Sequence, residues 1–233
     1  MNNPVYSMDQ TQVQTRVNSF VRSVYNWMAI GLALTGVVAF FVASNPVLFN
    51  IAQKGFFLFA IGELILVFTL SARIGRMKST TATSIFMLYA FLNGVTFSYI
   101  FAIYTRTLIA STFFICAMTF GALSLYGWAT KRDLTGLGSF MAMGLIGIII
   151  ASVVNIFVRS SGMQMIISYI GVLVFAGLTA YDTQTIKQMA LSQPAGADGS
   201  VVRKGAIIGA LKLYLDFILL FQYLLMIFGG RRD

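Results

Sequence analysis

Asp182, in GLTAYDTQTIKQM, and Asp216, in ALKLYLDFILLFQYLL, both stand inside long apolar runs. Glu63 lies in a third such run, Arg73 closes that run ten residues later, and Lys212 precedes Asp216 by four residues. An ionisable group at membrane depth costs at least ~2.5 kcal/mol, so each needs a chemical use or a partner. Two carboxylates in contact cannot both ionise cheaply, and such a pair shares a proton and titrates as a unit. Fully ionised, the pair is a hard oxygen site suited to Ca²⁺ or another cation. Histidine is absent and Cys116 has no second thiol, so carboxylates are the groups left to respond to pH near neutrality.

Each of these residues also has a plainer reading. Asp182, toward the end of its run, fits an interfacial aspartate touching water, although a helix C-terminus disfavours a negative charge. Lys212 and Asp216 form an i, i+4 pair, but in the less favourable order, and such pairs yield only ~0.2–0.5 kcal/mol. Lys212 otherwise snorkels to the surface, which leaves Asp216 about one turn deeper. Arg73 offers a guanidinium fork that bridges carboxylates as a latch, or else flanks a span beside Arg76 and Lys78. Glu63 lies ~15 Å of helix rise from Arg73. It reads either as a second station on an ion path or as a protonated acid bonded to a nearby hydroxyl or carbonyl.

The elements that position these groups follow from composition. Of 233 residues, 58% are hydrophobic and 10% charged, and no charge occurs between Ser23 and Gln53, which excludes a soluble globular chain. Cutting at charges and turn residues predicts seven helical spans at about 24–44, 55–73, 82–104, 107–128, 138–158, 163–186 and 205–229. The runs are too long and too evenly apolar for barrel strands. The expected fold class is therefore an all-α integral membrane protein. Its domains are a polar tail over 1–22, a seven-helix domain over 23–230 and a short C-terminal tail over 231–233. The first span is expected to be retained, because it is far longer than the apolar core of a cleaved signal.

The net charge of +9 reports orientation rather than nucleic-acid binding. Ten basic residues fall on the side of the N-terminal tail and five on the other, which puts the N-terminus in the cytoplasm. With seven spans Arg231 and Arg232 then fall outside, against the rule, whereas a last segment that dips in and returns would put them inside.

Gly205 and Gly209, with Ala176 and Ala180, are spaced for close helix packing, and Asn93 and Asn155 for interhelical hydrogen bonds. The methionines carry no metal-ligand spacing. With no histidine, HExxH, P-loop or dinucleotide fingerprint, the residues do not read as an enzyme, and no resident cofactor is expected.

AYDTQ at 180–184 together with LYLDF at 213–217 resembles the Bax inhibitor-1, or transmembrane Bax inhibitor motif, family. VYNWMAIGLALTG in the first span, GEL in the second and LYGWATKRDLTGLG across the fourth connection resemble its bacterial branch. The resemblance implies six helices wrapped around a central C-terminal one. It also implies a pH-sensitive calcium leak controlled by an aspartate pair that matches Asp182 and Asp216, which would bind Ca²⁺ in passing. Arg73 is the nearest match to the family's arginine at the end of the second helix, one residue short of the expected spacing. Glu63 matches an acidic position on that helix.

The leading expectation is thus a Ca²⁺ leak of the bacterial inner membrane, with lipid, Ca²⁺ and protons as its partners. The resemblance also implies other roles, cell-death suppression among eukaryotic members and modulation of a membrane-bound protease among some bacterial ones. The alternative is therefore a non-transporting regulator that binds a membrane protease or another membrane complex. A proton-coupled carrier would use the same carboxylates.

Overall fold

A computed structural model describes residues 10–194 and 196–230. Its helices, in chain order, are α1 (Gln10–Ser44), α2 (Pro46–Lys54), α3 (Phe56–Arg73), α4 (Ser79–Phe97), α5 (Ile100–Ile103), α6 (Arg106–Ala129), α7 (Thr135–Val158), α8 (Ser161–Leu191) and α9 (Gly199–Gly229). Among the described residues, seven stretches are long and apolar enough to cross a membrane: α1, α3, α4 with α5, α6, α7, α8 and α9. The chain is an all-α integral membrane protein. The expected tail at 231–233 and residues 1–9 lie outside the described residues.

The helices run past the apolar limits because the backbone goes on hydrogen-bonding where hydropathy falls. Residues 10–22, expected as a tail, are the first turns of α1. Val17, Phe20, Val24 and Met28, spaced by three or four residues, bury one stripe of this helix. The Arg16 guanidinium donates to the carbonyls of Gln193 (3.2 Å) and Pro194 (3.4 Å), fastening the start of α1 to the connection between α8 and α9. The extra helix α2 follows from its own start signal. The Asn45 side chain accepts from the amides of Val47 and Leu48, and Pro46 occupies the first turn, where no amide is needed.

Helix α9 is the axis of the bundle: 61% of its apolar window is buried, against 6% for α3 and 11% for α7. It packs directly on α1, α4, α6 and α8, while α3 leans on α4 and α7 on α8. The ring of six expected around the last helix thus has four members in close contact and two that stand off.

Lipid supplies little hydrophobic drive between helices, so close packing depends on small residues. A Cβ at Gly127 of α6 would run into the carbonyl of Ala180 on α8. Gly209 of α9 lies against Val24 of α1 and Ile186 of α8, where a Cβ would sit 3.1 and 3.3 Å from their side chains. Asn93 and Asn155 bond across helices as expected, to Glu63 and Gln164.

Candidate functional site

Each residue of AYDTQ has a separate task at the joint between α8 and its neighbours. Ala180 lets α6 approach, and the Tyr181 ring covers Gly138 of α7. The Thr183 hydroxyl lies 3.4 Å from both Tyr25 of α1 and Ser124 of α6. The Gln184 amide accepts from the backbone of Leu134 and donates to the carbonyl of Arg132, both at 2.8 Å, which ties the connection between α6 and α7 to α8. In that connection the Thr135 hydroxyl and amide donate to Asp133 at 2.6 and 2.9 Å. These two bonds hold its carboxyl below the usual carboxylate range.

With its neighbours fixed in this way, Asp182 faces the cleft where α7 stands off α9. A cavity of about 410 Å³ there is lined by Asp182, Lys212 and Asp216, with Ser139 and Tyr181 adding polar groups. The two aspartates expected to meet do share this cavity, although no hydrogen bond joins them. Lys212 lies between the alternatives the sequence offered: it pairs with Asp182 of the neighbouring helix, Nζ to Oδ1 at 3.1 Å. The lysine side chain is 40% exposed and that of Asp182 12%, so the pair is open at the lysine end. Asp216 is buried, and its Oδ2 has no hydrogen-bond partner among the described residues. A buried carboxylate oxygen left bare is costly, and a proton or a cation would relieve that cost.

Glu63 occupies a second cleft, where α3 stands off α9. The Thr96 hydroxyl reaches its Oε1 at 2.8 Å, and the Asn93 amide donates to its Oε2 at 3.2 Å. Asn93 also reaches the Tyr89 hydroxyl at 3.4 Å. The Tyr89 ring packs edge-on against that of Tyr214, whose hydroxyl bonds Thr35 at 2.6 Å. This cavity, about 380 Å³, is lined by Glu63, Tyr89, Asn93, Thr96, Tyr99 and Gln222 together with apolar side chains. Leu215 and Leu219, one turn apart on α9, line both cavities. An apolar wall of two leucines therefore stands between the aspartates and Glu63.

Arg73 is exposed at the end of α3, and among the described residues the one ion pair is that of Lys212 with Asp182. The latch expected of Arg73 is not made here. Helix α3 packs on α4 and α2, so an arginine at a suitable depth ends on the outer side of the bundle. Lys212 is the cation that reaches Asp182, at one oxygen and without bridging to Asp216. Its approach to Asp182, and the leucine pair, carried no signal in the sequence beyond residue type.

The sequence profile described as "Inhibitor of apoptosis-promoting Bax1" matches residues 17–233, nearly the whole chain. The chain belongs to the Bax inhibitor-1 family. Among its relatives, "Inner membrane protein YbhL" of Escherichia coli K12 is 46% identical over 224 residues, covering 95% of each chain. An uncharacterised protein of Rickettsia prowazekii is 50% identical over 218 residues, 92% of this chain and 90% of its own. One from Borreliella burgdorferi is 44% identical over 232 residues, 97% and 99% of the two chains. In this Bax inhibitor-1 family member the paired motifs of α8 and α9 thus frame a two-carboxylate cavity with an exposed lysine on one side and leucines on another.

Proposed function

We propose that the chain is a pH-sensitive cation leak of the bacterial inner membrane, with Ca²⁺ as its principal cargo and Asp182 and Asp216 as its gate. The carrying observation is that two aspartates from within apolar spans line one cavity, with one carboxylate held by a lysine and one oxygen of the other left without a partner. The inner-membrane placement rests on the name of the relative YbhL and on seven apolar stretches. A cytoplasmic N-terminus rests on the excess of basic residues at that end.

Lys212 acts as a tethered cation, filling with its ammonium group the place a mobile ion would take beside Asp182. An incoming Ca²⁺ displaces the ammonium and any proton shared by the carboxylates, so its binding strengthens as pH rises. Among the described residues no three His, Cys, Asp or Glu side chains converge, so the two carboxylates leave most of the ion's oxygen shell to water and neutral oxygens. That suits an ion in transit better than one tightly stored. Leu215 and Leu219 supply the barrier: an apolar constriction stays dry and shut until helices shift. Glu63 beyond them is the next carboxylate on the route. The protein acts without enzymatic chemistry and without a resident cofactor.

The test is Ca²⁺ entry into dye-loaded proteoliposomes containing the purified chain. Entry above empty vesicles supports the leak. Entry equal to empty vesicles, with a membrane protease or other complex co-purifying, would replace it with the regulator reading. Proton uptake that depends on an added solute would indicate a carrier instead.

A further inference from the structure

A cavity of about 450 Å³ with no carboxylate among its lining residues lies between α1, the end of α4, α5, α6 and α9. Helices α1 and α6 make little direct contact, so the cavity's mouth lies between them and its floor is Phe217, Ile218 and Phe221 of α9. All of its lining lies within or at the ends of spans, and the mouth therefore faces the acyl region of a bilayer. Of its lining side chains only Thr35 and Arg106 are polar. The Thr35 hydroxyl is already engaged by Tyr214 at 2.6 Å and by the carbonyls of Ala90 and Gly31 at 2.8 and 3.0 Å.

Arg106 is the first residue of α6, at the membrane surface, and its guanidinium lies over the Phe40 ring of α1, 5.5 Å from the centroid. It bridges the mouth at one end, and among the described residues no carboxylate pairs with it. From Arg106 to Phe113 the groove runs about 11 Å along α6, most of the ~15 Å depth of one leaflet's hydrocarbon. A Cβ at Gly36, on the α1 wall, would meet nothing within 4 Å.

A groove most of one leaflet deep, apolar except for an internally bonded threonine and carrying a cation with no carboxylate partner at its interfacial end, matches an acyl chain with an anionic headgroup. We propose that it seats one acyl chain of an anionic phospholipid, whose phosphate is held by Arg106. The groove holds none of the carboxylates of the proposed ion path, although Phe97 and Ile218 line both it and the Glu63 cavity, and lipid retention is read without ion flux, so the two proposals can fail separately.

The purified chain in neutral detergent is titrated with phosphatidylglycerol or phosphatidylcholine bearing identical chains. Retained lipid is counted by native mass spectrometry. One basic side chain beside an anionic headgroup predicts about fivefold preference for phosphatidylglycerol. Arg106→Gln is expected to abolish the preference while keeping the chain, and Gly36→Phe to reduce retention of both lipids. Ala110→Phe fills the same groove from α6 and serves if Gly36→Phe does not fold. Equal retention of both lipids by the wild type, an undiminished preference in Arg106→Gln, or full retention by a folded groove-filling variant would overturn the proposal.

Discussion

Replacing Lys212 with methionine keeps an unbranched side chain out to the ε position and removes the ammonium that lies 3.1 Å from Asp182. At that separation two unit charges interact by ~1.3 kcal/mol in bulk water and by ~5 kcal/mol at the effective dielectric of a protein surface. The lysine is 40% exposed, so the lower part of that range applies. A Ca²⁺ that no longer competes with the ammonium gains about 1–2 kcal/mol, or roughly 5- to 30-fold in affinity. Lys212→Arg keeps the charge and is expected to bind Ca²⁺ much as the wild type does. The assay is Ca²⁺ titration of the purified protein followed by calorimetry at pH 8, beside flux in vesicles. If Lys212→Met binds Ca²⁺ no more tightly than the wild type while remaining folded, the tethered-cation argument fails.

Leu219→Ala thins the wall between the two polar cavities and is expected to raise basal Ca²⁺ entry severalfold, whereas Leu219→Ile is expected to leave it near wild type; stopped-flow dye fluorescence reads both. Gly127→Leu drives a side chain into the Ala180 carbonyl and is expected to cost about 1–3 kcal/mol or more, seen as a lower midpoint in thermal unfolding. Gln184→Leu leaves the buried Leu134 amide without its acceptor, at a cost of about 1–3 kcal/mol, and hydrogen exchange is expected to speed up in residues 131–134. Because the Asp133 carboxyl is held below its ordinary range when folded, its bonds to Thr135 persist above that range and are lost as pH falls through the folded value. Exchange at the Thr135 amide, corrected for the intrinsic pH dependence, is expected to lose protection only once pH falls below the ordinary carboxylate range.

Hydropathy reveals the seven spans because lipid forces each crossing to be long, apolar and helical. It misses the ends of α8 and α9, which reach Leu191 and begin at Gly199, since helical hydrogen bonding continues through polar residues outside the hydrocarbon. The meeting of Asp182 and Asp216 in one cavity is legible from depth alone: two antiparallel neighbours carry them at similar distances from one face. Direction around a helix is not legible in that way. Arg73 lies at a plausible depth but on a helix that does not pack against α9, and Lys212 turns from its own helix toward α8. These are consequences of how helices rotate against one another, which packing of small residues such as Gly127 and Gly209 decides.

The most direct measurement of the central claim is Ca²⁺ entry into proteoliposomes from pH 5 to 8, comparing the wild type with Asp182→Asn/Asp216→Asn. The account predicts entry that changes with pH in the wild type and a double variant in which that change is gone. A double variant that conducts with the wild-type pH profile would contradict it.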